Sequence, residues 1–180
     1  LRLAGLLHDA GKLTTRSVEP SGRVRFLGHE KAGAEIARAV ARRLRLSKAA
    51  VERIGSLVEM HMALYDQLTK KGLRRWVANN GEAWVRDLIA LGRADAAASG
   101  WEGDVERLDA IERALEEVIA GREAFSRRDL AVNGRDIMEA LGIGPGPDVG
   151  RILDHLYEHV LEHPEENTRE ALLDKARALL

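Results

Sequence analysis

The sequence predicts an all-α protein, and three observations carry that prediction. Ala, Leu, Glu and Arg, four good helix formers, dominate the composition. Apolar residues recur at three- and four-residue spacing along most of the chain. Aromatics supply only 4% of residues against 45% apolar, so the core is built from Leu, Ala, Val and Ile. The 180 residues suffice for one large domain, or one domain and a small appendage. Cysteine is absent, which excludes disulfides and thiolate metal sites. No apolar run approaches the ~20 residues needed to cross a bilayer and no signal peptide is visible, so a soluble, cytoplasmic protein is expected. A net charge of −1 excludes a uniformly basic surface and leaves local patches open. The chain starts at Leu1, without methionine and already in helical pattern, as a piece of a longer protein would.

The elements follow in order. A first helix ends near Asp9, with Gly11 as its stop signal. Residues 12–28 carry Thr, Ser, Pro20, Gly22 and Gly28 and read as a loop with an extended piece at "RVRF". Helices are expected over His29–Leu44 and, capped by Ser47, up to His61. A short helix over Leu68–Asn79 is broken by Asn79-Asn80-Gly81, and longer ones cover Glu82–Ser99 and 104–120. After Gly121 the helices shorten and Gly and Pro separate them. Pro147 opens one that runs to about His163, and Asn167 with Glu170 resembles a capping box for the last. The chain therefore divides into residues 1–121 and a helical tail, 122–180.

Function enters where polar residues fall on apolar stripes. His8 follows Leu1 and Ala4; His29 opens a stripe through Ala32, Gly33, Ile36 and Val40. His61 closes a stripe of Val51, Ile54 and Val58, and Asp95 lies between Leu88, Leu91 and Ala98. Each helix thus aims an ionisable group inward near an end or break, where burial without a partner costs several kcal/mol. A divalent cation removes the difficulty. His8, Asp9, His29, His61 and Asp95 offer three nitrogen and two carboxylate ligands, suited to one or two metal ions (Ni, Mn, Mg, Fe or Zn) with open positions for water. Asp9 has two oxygens and could bridge a pair of ions. Taken singly, each histidine has an ordinary alternative in a backbone carbonyl or carboxylate, and Asp95 has one in Arg93.

At "LAGLLHDAGK…GHE…H" the sequence resembles the HD superfamily of metal-dependent phosphohydrolases. More narrowly, "LLHDAGKLTTR", "GRVRFLGHEKAGAEIA", "RLRLS" and "VEMHM" are similar to the HD region of bacterial CCA-adding tRNA nucleotidyltransferases and their poly(A) polymerase relatives. The tail from "DLAVNGRDIMEALGIG" to "TREALL" resembles the C-terminal segment of the same family. The resemblance implies an HD helical bundle followed by the tail, with His8 and Asp9 as the paired ligands and His29, His61 and Asp95 at later ligand positions. It implies hydrolysis of phosphomonoesters or cyclic phosphodiesters at a nucleotide or RNA 3′ end, through a metal-bound water. Asp9 and Lys12 are the candidate catalytic residues: Lys12, just beyond the pair, is placed to neutralise phosphate, with a solvated loop lysine as its plain alternative. HD proteins carry a further histidine on an upstream helix, before Leu1. A nucleotidyltransferase head needs an acidic pair on a strand after a Gly–Ser turn. Asp104 and Glu106 lie in helical pattern without one, so this chain is not expected to add nucleotides alone.

The competing function is a catalytically silent tRNA-binding body. Basic clusters at Arg42-Arg43-Leu44-Arg45, at Lys70-Lys71 with Arg74 and Arg75, and at Arg127-Arg128 are its candidate phosphate contacts, with Trp76 as a stacking platform. The plain alternative is a solvated helix face with Trp76 in the core. His155, His159 and His163 stand four apart, off the apolar stripe, and are expected to face solvent; "GIGPGP" reads as a rigid turn.

Overall fold

The computed structural model describes residues 1–66, 68–100, 102–121 and 127–179. It is an all-α bundle with one short hairpin: α1 (Arg2–Leu7), α2 (Lys12–Thr15), β1 (Ser17–Val18), β2 (Val24–Arg25), α3 (His29–Arg43), α4 (Lys48–Met60), α5 (Lys70–Asn80), α6 (Glu82–Ser99), α7 (Glu102–Ala120), α8 (Gly134–Leu141), α9 (Pro147–Glu162) and α10 (Arg169–Arg177). None of these helices is long and apolar enough to cross a membrane.

Packing sorts the chain into two compact units. Residues 1–68 and 82–113 form the first; residues 69–81 and 114–180 form the second. In the first unit α3 lies along α4, and the contact is set by small residues. Gly33, Ala34, Ala37 and Ala41 make the buried stripe of α3, facing Val51, Ile54, Leu57 and Val58 of α4. A Cβ on Gly33 would come within 3.3 Å of Val58 Cγ1, and one on Gly55 within 2.4 Å of Arg38 Nε. Arg38 crosses there to Glu59 at 2.8 Å. Ser47 caps α4 by accepting from the Ala50 amide, as its position before the stripe predicts. Trp84, Leu88 and Leu91 of α6 complete the core, with the Trp84 indole donating to Ser56 Oγ at 2.9 Å.

The second unit is built around Ile137, Ile152, Leu156, Val160, Leu172 and Ala176. Two caps differ from expectation. Thr168, not Asn167, caps α10 by accepting from the Ala171 amide; Asn167 instead ties the Ala131 amide to the Asp129 carbonyl. The capping box lies at Asn133 and Asp136, opening α8.

Gly11 also differs in its role. Its φ of −66° is ordinary, so it is no left-handed helix stop. A Cβ there would lie 2.0 Å from the His29 carbonyl oxygen and 2.6 Å from the Gly33 nitrogen. Glycine is needed because the turn after α1 presses directly on the backbone of α3. The chain continues past this turn into α2, where a loop is expected, because the Lys12, Thr14 and Thr15 amides find carbonyls of residues 9–11.

Candidate metal centre

The close approach at Gly11 sets Asp9 beside His29, and His8, His61 and Asp95 lie around them. His8 follows the last residue of α1, Asp9 lies in the next turn, His29 opens α3, His61 follows the last residue of α4, and Asp95 lies on α6. Helix ends suit such residues, since their backbone groups lack intrahelical partners and can hold a side chain.

All three imidazoles are gripped in one way. Nδ1 of His8 donates to the Gly5 carbonyl at 2.8 Å, Nδ1 of His29 to Phe26 at 2.9 Å and Nδ1 of His61 to Val58 at 2.7 Å. A carbonyl only accepts, so each Nδ1 carries a hydrogen and Nε2 is the atom free to act as a ligand when the ring is neutral. The Nε2 atoms of His29 and His61 are 3.3 Å apart. Asp9 oxygens lie 3.5 Å from Nε2 of His8 and of His29, and Asp95 Oδ1 lies 3.4 Å from His8 Nε2. Ligand atoms of Asp9, His29 and His61 all fall within 4.8 Å of one another. With both rings neutral, two buried lone pairs face each other there beside the Asp9 carboxylate, and a positive charge between them, a shared proton or a metal ion, relieves the repulsion. The donor set, neutral nitrogens plus carboxylate oxygens with each ring fixed by a backbone carbonyl, fits a divalent transition-metal ion.

The electrostatics favour the ligating forms of His61 and Asp9. Burial pushes the His61 imidazole below its ordinary value, and the neighbouring His8 and His29 act in the same direction. For Asp9, burial alone would raise the carboxyl. The Lys12 hydrogen bond, with the charges of His8, Lys12 and His29, outweighs burial and holds it below the usual carboxylate range.

Asp95 is held by Tyr65, whose hydroxyl donates to Oδ2 at 3.1 Å, while Arg93 turns to Asp109 instead. Tyr65 was not legible as a site residue, because a tyrosine beyond a helix end carries no periodic signal. Burial first, then Asp95, raises its hydroxyl pKa. Lys12, at the start of α2, has a side chain 41% exposed, with Nζ 2.6 Å from Asp9 Oδ2 and 5.7 Å from the Phe26 ring centroid. Asp9, His29, His61 and Asp95, but not His8, line a cavity of about 540 Å³ whose other walls include Arg23, Phe26, Leu27, Glu30 and Met62.

The expected RNA contacts are largely occupied. Arg74 is only 7% exposed and donates to the Leu161 carbonyl at 2.9 Å, which makes it a packing residue rather than a surface cation. Arg75 pairs with Glu158, and Arg127 with Asp154 at 2.8 Å; Arg128 is exposed. Trp76 is half-buried. Arg42, Arg43 and Arg45, at the end of α3, are exposed, with no acidic partner among the described residues. Of the tail histidines, His155 and His163 are exposed, whereas His159 is mostly covered and pairs with Glu166 at 2.6 Å.

A family model described as tRNA nucleotidyltransferase domain 2 matches residues 26–176. A CC-adding tRNA nucleotidyltransferase of Thermus thermophilus is 40% identical over 99% of this chain and 39% of its own length. An A-adding tRNA nucleotidyltransferase of Deinococcus radiodurans is 37% identical over 88% of this chain and 37% of its own length. A CCA-adding enzyme of Streptococcus mutans is 30% identical over 50% of this chain. The chain spans well under half the length of these relatives. No solved structure matches at a significant level.

Proposed function

The chain belongs to the tRNA nucleotidyltransferase domain 2 family, and on that premise we propose that it is the tRNA-holding body of a nucleotide-adding enzyme whose catalytic head these residues do not include. The observation that carries this reading is the family match, which begins just after the hairpin, runs to α10 and so reaches into both compact units. The partner is tRNA. Its phosphates are met by cations without local counter-ions, and the Arg42, Arg43 and Arg45 group at the end of α3 is the best placed. Filter binding of tRNA to the intact chain tests it. Replacing the three arginines by alanine weakens binding at least tenfold and flattens its salt dependence by two to three neutralised phosphates, roughly 0.7–0.9 of log–log slope for each. No tRNA binding by the parent chain, or equal binding by the variant, defeats the reading.

A second reading, a metal-dependent phosphohydrolase of HD type, is favoured by the opposed Nε2 atoms of His29 and His61. His8, Asp9, His29, His61 and Asp95 would hold the ion. An ion held there supplies a water acidic enough to act as hydroxide near neutral pH and a positive charge for phosphoryl oxygens. Asp9 accepts from Lys12 and turns its other oxygen toward His29, and Lys12 stands ready for a phosphate oxygen. Metal content after dialysis, and turnover of a 2′,3′-cyclic nucleotide with Ni²⁺ or Mn²⁺, test this. Retained metal and turnover, both lost on His29→Ala or Asp9→Ala, are expected; metal-free protein and no turnover overturn it.

A further inference from the structure

We propose that the hairpin β1–β2 and the residues just after it form a nucleotide-recognition wall. Leu27 and Met62 take the base and Arg23 takes phosphate, for a nucleotide whose terminal phosphate faces the imidazole cluster. This assignment rests on the phosphohydrolase reading of the same cavity and names the residues that would select its nucleotide. At about 540 Å³ the cavity falls within the roughly 300–1,000 Å³ of small-molecule sites, far beyond the needs of phosphate alone.

Its lining is unusual for a solvated edge. Leu27 is 77% exposed and Met62 40% exposed, and both border the cavity. Neither fills the core, so folding does not require an apolar side chain at either place; an apolar patch beside charged groups is what a base needs. The cations are divided in the same way. Arg25 is neutralised by Glu19 at 2.9 Å, which braces a hairpin too small to be stable alone. Arg23, one residue before β2, has no acidic partner among the described residues and lines the cavity. A free guanidinium facing a cavity that also holds Lys12 matches a phosphate-bearing ligand in charge and in its fork of donors. The wall is also joined mechanically to the cluster, because the Phe26 carbonyl is the group that holds His29 Nδ1 at 2.9 Å.

The shared chemistry is a nucleotide ending in phosphate, free or at the 3′ end of RNA. The test is calorimetric titration of the intact chain with adenosine 3′-phosphate, adenosine, inorganic phosphate and an RNA oligonucleotide bearing a 3′-phosphate. The parent chain is expected to bind adenosine 3′-phosphate at least about tenfold more tightly than either adenosine or phosphate. Arg23→Ala should weaken the nucleotide about five- to tenfold and leave adenosine unchanged. Leu27→Ser with Met62→Ala should weaken nucleotide and adenosine alike and leave phosphate unchanged. The tighter of the free nucleotide and the oligonucleotide identifies the source. Unaltered binding in both variants, or no preference of the parent chain for nucleotide over phosphate, overturns the assignment. Absence of metal and turnover, with this binding pattern intact, would defeat the phosphohydrolase reading while leaving the recognition wall standing.

Discussion

Gly11 decides how closely Asp9 approaches His29. Any side chain at this position meets the His29 carbonyl, so the turn must move away from α3 and carry Asp9 with it. Gly11→Ala is expected to destabilise the protein by about 1–3 kcal/mol, the usual cost of overpacking, and, on the phosphohydrolase reading, to lower metal retention. Denaturant unfolding and metal analysis check the two effects. Arg45 presents the opposite case. Its φ of +56° is left-handed, which costs a non-glycine residue roughly 1–2 kcal/mol. Arg45→Gly is expected to leave stability unchanged or raise it by up to about 1 kcal/mol while weakening tRNA binding, so affinity and melting temperature should move apart. His8, His29, His61 and Asp95 are legible from the sequence because each interrupts an apolar stripe with an ionisable group, and Asp9 only by its adjacency to His8. Arg74 is not. A cation in a basic run reads as a surface contact, and only the fold places the Leu161 carbonyl within its reach.

Helix ends were legible to within a residue or two wherever a cap or a proline marks them, as at Ser47 and Pro147. The cap before α10 shows the limit. Asn167 and Thr168 are adjacent and both are good caps, and what separates them is the Ala131 amide, which lies far away in sequence and claims Asn167. The box opening α8 is further braced by Arg169, which bonds Asp136. That bond first, then the Asn133 amide, holds the Asp136 carboxyl below its ordinary value of 3.8. A carboxyl depressed in the folded state contributes stability that is complete above the ordinary value and lost as pH falls from there through the lower folded value. Thermal melts between pH 6 and pH 2 should therefore show an acid-side decline that Asp136→Asn flattens. Ser47→Ala removes the cap of α4 and is expected to cost about 1 kcal/mol, measured by urea unfolding.

For the whole molecule, composition and spacing were enough for the fold class, since helix formers at helical period leave little else. The grouping of helices was hidden, because order along the chain does not say which helix packs with which. Residues 69–81 lie between two segments of the first unit, yet Lys71 bonds Glu162 at 3.0 Å and Arg75 bonds Glu158, both on α9. The backbone thus passes from one unit to the other at 68/69, returns at 81/82 and leaves again at 113/114. A gene cut at any single codon yields no fragment that contains all of either unit and nothing of the other. Shortened versions ending near residue 121 would strand Leu73 and Arg74 without the side chains and carbonyls that cover them, and should aggregate or be digested. An evolutionary exchange of one unit for another would need two separate segments, joined at three points, to be replaced at once, so the pair is expected to be inherited together.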